Sequence, residues 1–250
     1  MATDSSNQYL SEISTQWSLL QKAHSDRQDV ASPAQMQMLL RYSGAIQRYL
    51  LGALRDPEAA QELSQEFAFR FVRGDFQGAD PERGRFRDYL KTVLFRMVAN
   101  YFKQRNQQPR PLPDVVADPL ATPPEGPDPE RAFLDVWRGE LMDRAWQSLA
   151  QIQKQTGQPY ETVLRMKVDS VGTNLSSGQM AEELRHQFGR TFTSDGVRKL
   201  LQRAREKFAQ FLLEDVAHSL QNPSPHQLEL ELRELGFLAY CRPALERRSE

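Results

Sequence analysis

The stretch Arg85-Phe86-Arg87-Asp88-Tyr89-Leu90-Lys91-Thr92-Val93-Leu94-Phe95-Arg96-Met97-Val98-Ala99-Asn100-Tyr101-Phe102-Lys103-Gln104-Arg105 spaces its apolar side chains three and four residues apart. That is the period of an α-helix with one buried side. Phe86, Leu90, Val93, Leu94, Met97 and Tyr101 form the expected buried stripe, while Arg85, Tyr89, Thr92, Arg96, Asn100 and Lys103 project together from another side. Residues 83–105 hold seven basic side chains, among them Arg87 and Arg105, against the single Asp88, a local charge of +6. Cations suit phosphates, an Asn amide can pair with a base edge and a Tyr ring can stack on an unpaired base, so this side fits either a solvated surface or nucleic acid.

The same period extends in both directions, and no long run of alternating β-branched residues interrupts it, so the fold class expected is all-α. Upstream, Asp56-Pro57 reads as an N-cap followed by proline at the first helical position, and Asp128-Pro129 and Gln158-Pro159 resemble it. The helix opened by Asp56 should bury Ala59, Ala60, Leu63, Phe67 and Phe71. Its opposite side carries Glu62, Gln65, Glu66, Phe69 and Arg73, an acidic, amide-rich stripe around one aromatic ring. Such a stripe is either solvated or a partner-binding surface.

Downstream lies a helix-turn-helix candidate. Ser176 and Gln179 have capping-box spacing, the first helix should bury Met180, Ala181, Leu184 and Phe188, and Gly189 is placed to end it in the left-handed conformation. A second helix opens near Thr193-Ser194 and should bury Val197, Leu200, Leu201, Ala204, Phe208 and Phe211. Arg198, Lys199, Gln202, Arg203 and Arg205 then point outward, the residue types that read bases in a major groove, where Arg pairs with guanine and Gln with adenine.

Eight of the 15 prolines fall between Gln107 and Glu130, which excludes a helix or central strand there and marks a linker. The expected organisation is two helical domains, 9–106 and 131–220, joined by the acidic linker 107–130 and followed by a helical extension, 221–250. The whole chain, 250 residues, carries 32 basic and 33 acidic groups. A net charge of −1 taken alone argues against a nucleic-acid binder. By segment the net charge is +2 before the linker, −4 within it and +1 after it, so the total conceals the basic helices.

Other function classes find little support. The longest apolar run, Phe237 to Cys241, is far below the ~18 residues of a spanning helix, so no membrane partner is expected. The first residues have neither a basic nor an apolar segment of a secretory signal, and a single Cys suits a reducing compartment, so a cytoplasmic location is expected. No Ser/His/Asp arrangement, phosphate-cradling Gly loop or metal-ligand spacing is present, so neither an enzyme nor a metal or other cofactor is expected.

The order of these elements resembles bacterial RNA polymerase sigma factors, most closely the extracytoplasmic-function type. The resemblance rests on Glu62-Leu63-Ser64-Gln65-Glu66-Phe67, on Arg85-Phe86-Arg87-Asp88-Tyr89-Leu90 leading to Val98-Ala99-Asn100, on the variable linker, and on the hairpin ending Val197-Arg198-Lys199-Leu200-Leu201-Gln202-Arg203-Ala204-Arg205. It implies two helical domains, sigma regions 2 and 4. Glu62, Gln65 and Glu66, with Phe69 and Arg73 beside them, would bind the clamp helices of the largest polymerase subunit, and the flap of the second-largest subunit would be a further contact. Arg85, Arg87, Tyr89, Arg96, Asn100, Lys103 and Arg105 would recognise and melt the minus-10 promoter element. Tyr89 stands where many relatives have Trp. Thr193, Ser194, Arg198, Lys199, Gln202, Arg203 and Arg205 would read the minus-35 element, after a turn longer than the usual one of the family. An anti-sigma factor is a candidate regulatory partner by the same resemblance. The alternative left open by the residues is a helix-turn-helix regulator that binds duplex DNA without polymerase.

Overall fold

A computed structural model describes residues 33–73, 75, 85–107, 128–170, 175–220 and 223–249. The expected linker, apart from Gln107 and its last three residues, lies outside the described residues, as do 9–32 and Arg83. The described residues are helical without strands: α1 (Pro33–Leu54), α2 (Pro57–Arg73), α3 (Phe86–Gln107), α4 (Pro129–Thr156), α5 (Tyr160–Asp169), α6 (Ser177–Phe188), α7 (Ser194–Ser219), α8 (Pro225–Glu234) and α9 (Leu238–Ser249). No helix among them is long and apolar enough to cross a membrane. Their packing separates two compact units, one drawn from residues up to Glu140 with His218–Gln221, the other from Leu141–Ala217 with Asn222–Glu250. The division falls inside α4.

In the first unit, α1 ends at Leu54 and Arg55 adopts φ 53, the left-handed turn that lets the chain reverse. Asp56 then accepts hydrogen bonds from the amides of Glu58 at 3.1 Å and Ala59 at 3.2 Å, capping α2 with Pro57 in its first turn. Ala59, Ala60, Leu63, Phe67 and Phe71 are buried, the full set that the periodicity selects. The core beyond α2 is largely aromatic. Tyr42 of α1 stacks on Trp137 of α4 with centroids 5.5 Å apart and meets Phe86 of α3 at 5.1 Å. Phe133 lies one turn before Trp137 and presents its edge to Tyr49 at 5.5 Å. Asp128 caps α4 by accepting from the Glu130 amide at 3.0 Å, as its spacing from Pro129 predicts.

The second unit is built on α4 and α7. Leu141, Ala145 and Leu149 of α4 are buried, and Trp146 sets its edge against Phe208 of α7 at 4.8 Å. Arg165 of α5 lies over the other part of the Trp146 indole at 4.5 Å, a cation–π contact that covers the ring without burying a charge. Gln158 does not cap α5. The residue at the cap is Pro159, with no side-chain bond, and Gln153 at the end of α4 instead accepts from the Thr162 amide at 3.0 Å. Gln158 itself takes a bond from Arg190 at 3.3 Å.

Ser176 and Gln179 form the reciprocal capping box on α6. Gly189 ends that helix at φ 64, where a side chain would be strained. The tail forms α8 and α9, and both pack: Leu228, Leu232, Leu235, Cys241 and Ala244 are buried. α8 opens on a second capping box, Ser224 with Gln227.

Candidate nucleic-acid and partner-binding faces

Three outward faces collect the residues singled out in the sequence. On α2, Glu62, Gln65, Glu66, Phe69 and Arg73 are all exposed. Phe69 is 61% exposed, a large apolar ring left in water while the four residues around it are polar or charged. The Arg73 guanidinium sits 5.4 Å from the centre of that ring, and Arg73 also pairs with Asp75 at 3.6 Å. Glu66 pairs with Arg70 one turn on, at 3.3 Å. An exposed i,i+4 pair of this kind contributes only about 0.3–0.5 kcal/mol, so Glu66 can exchange it for a partner at little cost. The face is an acidic rim around one hydrophobic anchor, the composition of a small protein-binding patch.

On α3 the basic charge is more unevenly available than its sequence suggests. Arg87 is 2% exposed, packed into the unit at the first turn of the helix, and therefore cannot reach a ligand outside it. Arg85 is half-buried and bonded to Asp88 at 2.9 Å, and Lys91 pairs with Glu130 at 3.0 Å. Tyr89 is half-buried near Phe86, and burial raises its phenol well above the ordinary tyrosine range, so its ring belongs more to the core edge than to solvent. Val93 and Tyr101, expected in the core, are only half-buried. What remains open is the second half of the helix: Arg96, Asn100 and Lys103 at i, i+4 and i+7, with Arg105 just beyond. Phe102 is exposed as well, on another side of the helix, about 160° round from Asn100. The sequence signal for Phe102 is its position outside the apolar period, between Asn100 and Lys103.

On α7, Arg198, Lys199, Gln202, Arg203 and Arg205 are exposed, and Val197, Leu200, Ala204 and Phe208 hold the opposite side in the core. Leu201 and Phe211 are half-buried. Of the two hydroxyls at the helix start, Thr193 is the cap, accepting from the Gly196 amide at 3.0 Å, while Ser194 is half-buried. Arg198 pairs with Asp195 at 2.6 Å, and Gln202 donates to Glu206 at 3.1 Å. The long turn before α7 is fastened by Arg190, which donates to the Gly157 carbonyl at 3.0 Å and lies 5.0 Å from the Phe192 ring centre. A five-residue turn is thus held in place by side-chain contacts to the α4–α5 corner.

Compared with known protein families, curated proteins and solved structures, the chain matches none.

Proposed function

We propose that this chain is a sigma factor, which binds core RNA polymerase and directs it to promoters. The observation that supports the reading is the order of outward faces along the chain: an acidic, Phe69-centred face on α2, then a basic, amide-bearing face on α3, then a second basic face opening α7 after a five-residue αα-turn. In this reading the α2 face binds the polymerase clamp helices. The open half of α3, with Arg96, Asn100, Lys103 and Arg105, holds the minus-10 strand, and the start of α7 reads the minus-35 element. Arg87 takes a structural part, and Tyr89 stacks on a base only if the helix start opens.

Energetics make polymerase necessary. Opening ten base-pair steps costs about 14 kcal/mol at a mean stacking energy of roughly 1.4 kcal/mol per step. A few captured bases return about 1–3 kcal/mol each. A chain of net charge −1 with short basic faces does not supply the difference, so the polymerase does. The chain performs no bond chemistry in this role, and it acts in the cytoplasm on promoter DNA.

Reconstitution tests the proposal. Purified chain is mixed with core enzyme and with a promoter identified by mapping transcripts after overexpression, and run-off products are measured. Promoter-specific transcripts and co-purification with core are expected; absence of both overturns the reading. The exposed α7 face also favours a second reading, a duplex-binding regulator that needs no polymerase. Sequence-specific gel shifts by the chain alone at physiological salt would establish that reading instead.

A further inference from the structure

The side of α7 that carries Arg198 and Gln202 does not end with them. Arg198, Gln202, Arg205, Ala209, Leu212 and Val216 follow at i, i+4, i+7, i+11, i+14 and i+18, one stripe along the helix at about 100° per residue. Its first three residues are exposed, whereas Ala209 is 5% exposed, Leu212 1% and Val216 0%. The cover over Ala209 is α9. The Cys241 thiol lies 3.7 Å from the Ala209 carbonyl, and the Tyr240 ring meets Phe208 edge-on at 6.0 Å. The Tyr240 hydroxyl donates to the Arg205 carbonyl at 3.2 Å, at the boundary between the open and the covered part of the stripe.

α9 therefore borders the basic face directly. Tyr240, Pro243 and Arg247, at i, i+3 and i+7, share one edge of α9, and all three are exposed. That edge is the one joined to α7 at Arg205. Arg248 beside it is exposed as well, so the last turn of α9, about two turns beyond the Tyr240 contact, presents two cations. We propose that α9 is a second wall of the DNA surface, with Arg247 and Arg248 binding backbone phosphates beside the groove that α7 enters and Tyr240 fixing the angle between the two helices. Backbone contacts fix register and orientation and carry no sequence preference, which suits residues at the edge of a reading helix. The proposal rests on the reading of α7 as a DNA-contacting helix.

The test uses the full chain and a fluorescein-labelled 30-base-pair duplex of mixed sequence, with anisotropy followed from low to moderate salt. Each phosphate contact contributes about 0.9 to the slope of log K against log salt. Arg247→Ala with Arg248→Ala is expected to lower that slope by up to about 1.8, a roughly twelvefold smaller change in affinity between 50 and 200 mM salt. Tyr240→Phe should weaken binding severalfold with the slope nearly unchanged. Lys199→Ala with Arg203→Ala serves as the comparison. A reduced slope in both double variants supports the second wall. A reduced slope in the α7 variant alone overturns it and leaves the α7 reading intact, and no change in either overturns both. Because Arg247 and Arg248 are exposed, a thermal melt equal to that of the parent chain confirms that the α9 variant is folded.

Discussion

Arg144 of α4 donates from Nε to Asp215 Oδ2 of α7 at 2.8 Å, and both side chains are largely withdrawn from solvent, at 13% and 15% exposure. The pair joins the two longest helices of the second unit, beside the Trp146–Phe208 contact. Breaking such a pair on one side strands the other charge. Asp215→Ala is expected to destabilise the second unit by about 2–4 kcal/mol, just under the range for a fully buried pair. Arg144→Met with Asp215→Leu should recover most of that loss, since apolar replacements of similar volume leave no charge stranded. Urea unfolding of the two variants beside the parent chain measures both effects.

The α2 face separates association from stability. Gln65→Ala with Glu66→Ala should leave urea unfolding within about 0.5 kcal/mol of the parent, as exposed substitutions do. Retention of core polymerase on the immobilised chain should fall severalfold, and Phe69→Ala should lower it further because an exposed ring has only a partner to bury it. Unchanged retention in both variants would overturn the reading of the α2 face as a polymerase contact.

At the start of α7, Asp195 partly neutralises Arg198. If α7 contacts DNA as proposed, Asp195→Asn is expected to tighten duplex binding by removing a negative charge from the start of the helix. Arg198→Ala should cost about 1–3 kcal/mol of discrimination between the bound site and a single-base variant if the guanidinium reads a base. A uniform loss across sequences with a salt slope lower by about 1 would assign it to a phosphate.

Alkaline pH should loosen the same unit. Burial pushes the Cys241 thiol from 9.0 up to about 12. It also pushes the Tyr240 phenol from 10.0 to about 12, where nearby Arg205 pulls it back and Cys241 raises it further. Both groups hold their protons more tightly folded than unfolded. Their contribution is fully present below about pH 9 and is lost as pH rises toward 12. Denaturation midpoints measured from pH 8 upward should fall through this window, less steeply in Cys241→Ala. The native thiol should also react slowly with Ellman's reagent at neutral pH, and quickly once unfolded in urea.

Local signals account for what was legible in the sequence. The caps at Asp56 and Ser176 and the left-handed Gly189 depend on bonds spanning four residues or fewer, and they formed as their spacing requires. The buried set of α2 was legible for a related reason, its apolar residues all falling on one narrow side. Arg87 was not. It stands about 100° from Phe86 on the wheel, at the margin of the stripe, and only the surrounding packing determines that this margin is covered. Gln158 is not the cap because the helix opens at Tyr160, one residue later than the spacing from Pro159 suggests, which leaves Pro159 at the cap position. Along α4 the buried residues recur every fourth position, at Phe133, Trp137, Leu141, Ala145 and Leu149, so no break in pattern marks the division between units. The tail was ambiguous because its leucines mix spacings, and a turn at Gly236, with φ 74, separates what proved to be two helices.

The continuous stripe on α7 makes that helix an indexing shaft. Arg198 and Val216 stand 18 residues apart, five whole turns, so the exposed basic end and the seated end point the same way. Inserting one residue between Arg205 and Ala209 would rotate Arg198 and Gln202 by about 100° relative to α9, and with them the buried Val197, Leu200 and Ala204. Adding seven would restore the bearing to within about 20° but carry the exposed and the buried side of the helix start roughly 10 Å along the axis. Length in this part of the chain is therefore fixed from two sides, because the exposed cations and the buried residues of the helix start can only move together.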